Sequence, residues 1–169
     1  MKYTSAQANK LLRKLNEDYA ALAQNEKDSY LFIAALSEDP ESVRPQYDYA
    51  STQAQMHQLE EKIRKLKHSI NQFNVSTVVE EFSMTIDEML VYIPQLTRKK
   101  QRLQVMKSKL PKSRVQQRYG SSSSIIDYEY INYDLEEVRK DFEEVSDELT
   151  RAQIALDTLN NSVEFDLGI

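Results

Sequence analysis

The stretch from Leu135 to Leu159 puts Leu135, Val138, Phe142, Val145, Leu149, Ala152, Leu156 and Leu159 three and four residues apart in alternation. That period gathers an apolar stripe on one side of an α-helix, demands a second helix to cover it, and does not fit a strand's period of two. Few residues interrupt such elements, because the 169-residue chain holds only two glycines and four prolines. The scarcity of breakers argues against a sandwich, a barrel or a glycine-rich nucleotide fold and for long helices.

A helix over about 5–37 is expected to start at Thr4 or Ser5, both good N-caps. Its seam runs through Leu12, Leu15, Tyr19, Leu22, Glu26, Ser29, Ile33 and Leu36 before "SEDPESVRP" ends it. The polar pair Glu26 and Ser29 leaves the seam either locally wet or shifted onto Tyr30 and Phe32. A second helix over about 46–73 carries Tyr49, Thr52, Met56, Leu59, Ile63, Leu66, Ile70 and Phe73, and it reads as the antiparallel partner of the first. Residues 75–84 suit either a short strand or an ordered loop.

"TIDE" sets Thr85 three residues before Glu88, a capping-box spacing that opens a third helix over about 85–110. Pro94 inside it removes one hydrogen bond and predicts a kink. "PKSRVQQRYGSSSS" reads as a connection, and "IIDYEYIN" as a short extended segment. Asn132 is the expected cap of the fourth helix, over about 133–160. The alternation of Val163, Phe165 and Leu167 then suggests a minor antiparallel pairing with residues 126–131. The reading is an all-α fold: long antiparallel helical hairpins forming one four-helix, coiled-coil-like bundle domain over 1–169.

Charge is segregated. Residues 85–118 carry nine basic and two acidic side chains, whereas residues 119–169 carry three basic and thirteen acidic ones. Complementary charges flanking apolar seams set helix pairing, so the third helix is expected to lie beside the fourth, within one chain or across a dimer. The alternative is a nucleic-acid surface over 98–118, built from Arg98, Lys99, Lys100, Arg102, Lys107, Lys109, Lys112, Arg114 and Arg118. No zinc-finger spacing or ribonucleoprotein motif accompanies it.

Chemistry is hard to place on this chain. Cysteine is absent, and the two histidines, His57 and His68, flank the second helix's seam on its outward side, roughly 16 Å apart by helical rise. Adjacent acids such as Glu60 and Glu61 diverge by about 100° around a helix, which suits a solvated face better than a catalytic pair. No phosphate loop or nucleophile elbow is present, so neither an enzyme nor a bound cofactor or metal is expected. No apolar run is long enough to span a membrane or form a secretory signal, which predicts a soluble, cytoplasmic protein away from membranes. Ten tyrosines against no tryptophan stand out, with Tyr128, Tyr130 and Tyr133 crowded into "DYEYINYD". They suit either an interface or ordinary packing at the bundle end.

The segments "LEEKIRKLKHSINQFN", "TIDEML", "LTRKKQRL" and "LEEVRKDFEEVSDELTRAQIALDTLN" resemble the septicolysin-like family of small bacterial helical proteins of unassigned function. The resemblance implies helical hairpins that associate into oligomers and carries no catalytic residue onto this chain. Together these readings predict a self-associating, homo-oligomeric scaffold making protein contacts, with nucleic-acid association through 98–118 as the alternative.

Overall fold

The computed structural model describes residues 2–115 and 127–168. Arg118 and the four consecutive serines therefore lie outside the described residues. Those residues are mostly helical, with five α-helices and three two-stranded antiparallel ribbons. They form two compact units, Met1–Thr77 with Asp157–Ile169, and Val78–Leu156.

In the first unit, β1 (Lys2–Thr4) leads into α1 (Ser5–Ser29) through a capping box: Gln7 N–H donates to the Thr4 hydroxyl and Thr4 N–H donates to the Gln7 side chain. The expected start of this helix holds, but its end does not. Helix α1 stops at Ser29 rather than near residue 37, because the polar stretch "QNEKDS" removes the apolar stripe a longer helix would need. A single turn, α2 (Pro40–Val43), follows, and α3 (Tyr49–Ser76) then runs back along α1. Helix α3 begins and ends three residues later than expected. The Asp48 side chain accepts from Ser51 N–H and fixes the start.

Burial in this hairpin is concentrated at one end. Ala8, Leu66, Ile70 and Leu167 form the buried cluster, with Tyr3, Leu11, Leu12, Leu15 and Phe165 packed against it. Strand β6 (Glu164–Asp166) pairs with β1, matching Tyr3 to Phe165, and Phe165 stacks on Phe73 with ring centroids 4.3 Å apart. The Ser69 hydroxyl donates to the Leu167 carbonyl at 2.8 Å. The expected pairing of 163–167 with 126–131 is thus corrected. The chain's two ends pair instead, because the β1–β6 register seats Phe165 on the aromatic end of α3.

In the second unit, β2 (Val78–Val79) and β3 (Met84–Thr85) form a minimal ribbon closed by a 3₁₀ turn at Glu80–Phe82 and by Ser83, whose φ is +50°. Helix α4 (Ile86–Lys107) starts at the predicted Thr85–Glu88 capping box and runs through Pro94 without interruption. Pro94 is exposed, as is Leu90, whose carbonyl loses its helical donor where water can replace it. Strands β4 (Lys112–Arg114) and β5 (Tyr128–Tyr130) pair with each other. Helix α5 (Leu135–Ser162) is capped by Asp134, not Asn132: the Asp134 carboxylate accepts from Glu136 and Glu137 N–H. The fourth seam is confirmed as the inward face, with Val138, Val145, Leu149, Ala152 and Leu156 all buried.

Candidate functional site

Helix α4 presents its cations in two ways. Lys100 and Lys107 turn toward α5, where their ammonium groups lie 5.8 and 4.2 Å from the Phe142 ring centroid. Arg98, Lys99 and Arg102 are exposed and, among the described residues, take part in no ion pair. Helices α4 and α5 do meet within one unit: the Tyr92 hydroxyl donates to Glu148, which with burial raises the tyrosine pKa, while Arg151 of α5 reaches Glu81 of the 3₁₀ turn at 3.5 Å. The opposite charges of the two helices were expected to hold them together directly. Among the described residues no ion pair links α4 to α5, so ring contacts and the Tyr92 bond take that place.

Past the end of α4 the basic stretch becomes a ribbon. Beyond β4 and β5, Ile131 N–H donates to the Pro111 carbonyl and Val115 N–H to the Asp127 carbonyl. The register sets Lys112 opposite Tyr130, Ser113 opposite Glu129 and Arg114 opposite Tyr128. Because strand side chains alternate, Lys112, Arg114, Tyr128 and Tyr130 share one face, while Ser113, Val115, Asp127 and Glu129 share the other. The Lys112 ammonium sits 4.2 Å from the Tyr128 centroid and 5.4 Å from that of Tyr130. Both rings remain open to water, at 48% and 62% exposure.

The remaining residues of these two sets divide. Lys109 turns to the acidic side of the ribbon, 3.9 Å from Glu129. Tyr133 is spent on structure: half-buried, it donates its hydroxyl to the Met106 carbonyl at 2.8 Å, tying the start of α5 to the end of α4. Neither the basic run nor the tyrosine cluster alone announces that Lys112 and Arg114 would face Tyr128 and Tyr130. The alternations "KSR" and "DYEY" carry that signal once the two segments are paired.

A second surface was assigned by the sequence to the seam of the first helix. "YLFIAAL" instead follows the last turn of α1, outside any helix, with Ile33 at 94% and Leu36 at 108% exposure. Leu31 within it and Tyr49 at the start of α3 are exposed too, and Phe32 lies under the Arg44 guanidinium. Around it, residues 26–48 hold six acids and two bases. Polar residues before the apolar run and Pro40 and Pro45 after it were the available signs that it leaves the helix. At the same end of the hairpin, Glu26 accepts from the Tyr47 hydroxyl and the Gln53 amide, both at 2.7 Å. The Glu26 bond is the main cause that pushes the Tyr47 pKa up to about 12.

His57 and His68 are both exposed on α3, as their seam positions predicted. Among the described residues, no three His, Cys, Asp or Glu side chains gather as metal ligands, and no helix is long and apolar enough to cross a membrane.

No protein-family model and no curated protein matches the chain. The fold is similar to the crystal structure of a functionally unknown conserved protein from Corynebacterium diphtheriae, with a TM-score of 0.63 and 20% sequence identity. The match covers 98% of this chain and 100% of the other.

Proposed function

We propose that the protein is a non-catalytic, cytoplasmic scaffold of the septicolysin-like kind, whose coiled-coil-like helices self-associate. The observation that carries this reading is the exposed "YLFIAAL" segment at the turn of the α1–α3 hairpin. A contiguous apolar patch of this kind marks an interaction surface more often than an isolated exposed leucine does. Covering Leu31, Ile33 and Leu36 contributes roughly 1.5–3 kcal/mol each. The seam residues Leu12, Leu15, Tyr19 and Leu22 along α1 are half-buried.

Light scattering on the wild type and on a Leu31→Ser, Ile33→Ser, Leu36→Ser variant tests it. The wild type is a dimer or larger, and added salt holds or strengthens the assembly, because the acidic rims of neighbouring copies repel and salt screens that repulsion. The variant is monomeric with unchanged helical circular dichroism. A monomeric wild type at every salt concentration removes the proposal.

A further inference from the structure

We propose that the basic and aromatic face of the β4–β5 ribbon is a binding site for single-stranded nucleic acid. Lys112, Arg114, Tyr128 and Tyr130 form the site, and it is independent of the self-association reading. The register sorts the ribbon's charges completely: both cations stand with the two tyrosines, and both acids, Asp127 and Glu129, stand on the opposite face. A ligand approaching this face meets two positive charges and two open rings and no carboxylate of the ribbon. Phosphate supplies the complementary charge, and bases supply planar surfaces that stack on tyrosine without regard to sequence. An acidic peptide would satisfy the cations but leave the rings without stacking partners.

The spacing favours a single strand over a duplex. Tyr128 and Tyr130 are two residues apart on one strand, so their Cα atoms, from which both side chains project to the same face, are about 6.6–6.8 Å apart. That is about twice the ~3.4 Å rise per nucleotide of a duplex strand. A single strand can open to that spacing and place successive bases on the two rings, as other sheet-based readers do. A duplex keeps its bases stacked and paired. Lys112, held at the rings by its cation–π contacts, sits where the connecting phosphate would pass, and Arg114 lies across from Tyr128 at the neighbouring position. Exposed Arg98, Lys99 and Arg102 on α4, which make no ion pair among the described residues, give the same unit further cations.

Fluorescence anisotropy with labelled oligo(dT), oligo(U), a duplex of equal length and poly-glutamate, titrated with the full chain at low salt, tests the site. Oligonucleotide binding is expected to exceed duplex and poly-glutamate binding. Its logarithm should fall with log salt at a slope of roughly −1.4 if two phosphates are neutralised, and more steeply if α4 joins in. The Tyr128→Ala, Tyr130→Ala double variant should bind about tenfold or more weakly, whereas the double phenylalanine variant keeps the rings and stays within about threefold of wild type. Preference for oligo(U) or oligo(dT) assigns the sugar and supports the site in either case. Absence of binding at low salt, equal binding of duplex or poly-glutamate, or undiminished binding by the alanine variant overturns the proposal. The Leu31, Ile33, Leu36 serine variant should bind like wild type, so failure of one reading leaves the other standing.

Discussion

The seams of α1 and α5 are written in the same code and are used differently. Along α5, Val138, Val145, Leu149, Ala152 and Leu156 are buried and Leu135, Phe142 and Leu159 half-buried, so the whole stripe finds cover. Along α1, Leu12, Leu15, Tyr19 and Leu22 are only half-buried, and the line's continuation at Ile33 and Leu36 is fully open. Periodicity decides which face of a helix is apolar. Whether that face is covered depends on what the rest of the chain packs against it.

The largest effect that separates the two conditions lies in the hairpin itself. Leu66 is fully buried beside Ala8, Ile70 and Leu167, and Leu66→Ala should cost roughly 2–5 kcal/mol at any protein concentration. Leu22→Ala removes a side chain from the half-covered stretch and should cost about 1 kcal/mol in the monomer, since less area returns to water. Urea denaturation at two protein concentrations distinguishes the cases. If a second copy covers the α1 seam, the Leu22→Ala loss grows with concentration toward that of a core site. Equal losses for the two variants under dilute conditions would break the comparison.

Much of this was legible before folding. The N-cap at Thr4, the capping box at Thr85, the α5 seam and the outward histidines follow from residue type and from spacings of three, four and seven residues, which are local. The errors fell where a local signal competes with a distant one. "YLFIAAL" has the right period for α1 but no partner to face, and "SVEFDLGI" was paired with the nearer tyrosine strand when β1 at the opposite end of the chain is its neighbour. The ribbon face followed the same logic: the alternation of both strands is visible in the sequence, yet their partnership and register are properties of the fold.

The two capping boxes sharpen the comparison at a smaller scale, because one is neutral and the other charged. Gln7 closes the box of α1 and Glu88 that of α4. Thr85 N–H, and then the Thr85 hydroxyl, bond the Glu88 carboxylate and hold its pKa below the ordinary glutamate range. A folded pKa lowered in this way means the stabilisation is complete above the unfolded glutamate value and is lost as pH falls through the lowered folded value. Thr85→Ala should cost about 1 kcal/mol at neutral pH. Backbone amide shifts followed by NMR into acid should move at Thr85 and Glu88 but not at Thr4 and Gln7. Glu88→Gln should abolish the acid response while keeping the box, since glutamine makes the same reach.

The smallest effect tests the polar substitute for a seam at the open end of the hairpin. Glu26 stands where the α1 heptad calls for an apolar residue, and it holds Tyr47 and Gln53 by hydrogen bonds. These bonds are strong locally but sit at the surface, so their loss should move the unfolding midpoint little. The phenol reports them directly. Tyr47 is pushed up to about 12, so the absorbance titration of the phenols should show a late component, shared with the raised Tyr19 and Tyr92, that Tyr47→Phe diminishes by one phenol. Because the folded pKa is raised, the contribution of the bond is intact below the ordinary tyrosine value and disappears as pH rises through about 12. Glu26→Gln should return Tyr47 toward the ordinary range. If Tyr47 already titrates there in the wild type, Glu26 is not locked to the segment that leads into α3, and the open end of the hairpin is looser than the structure shows.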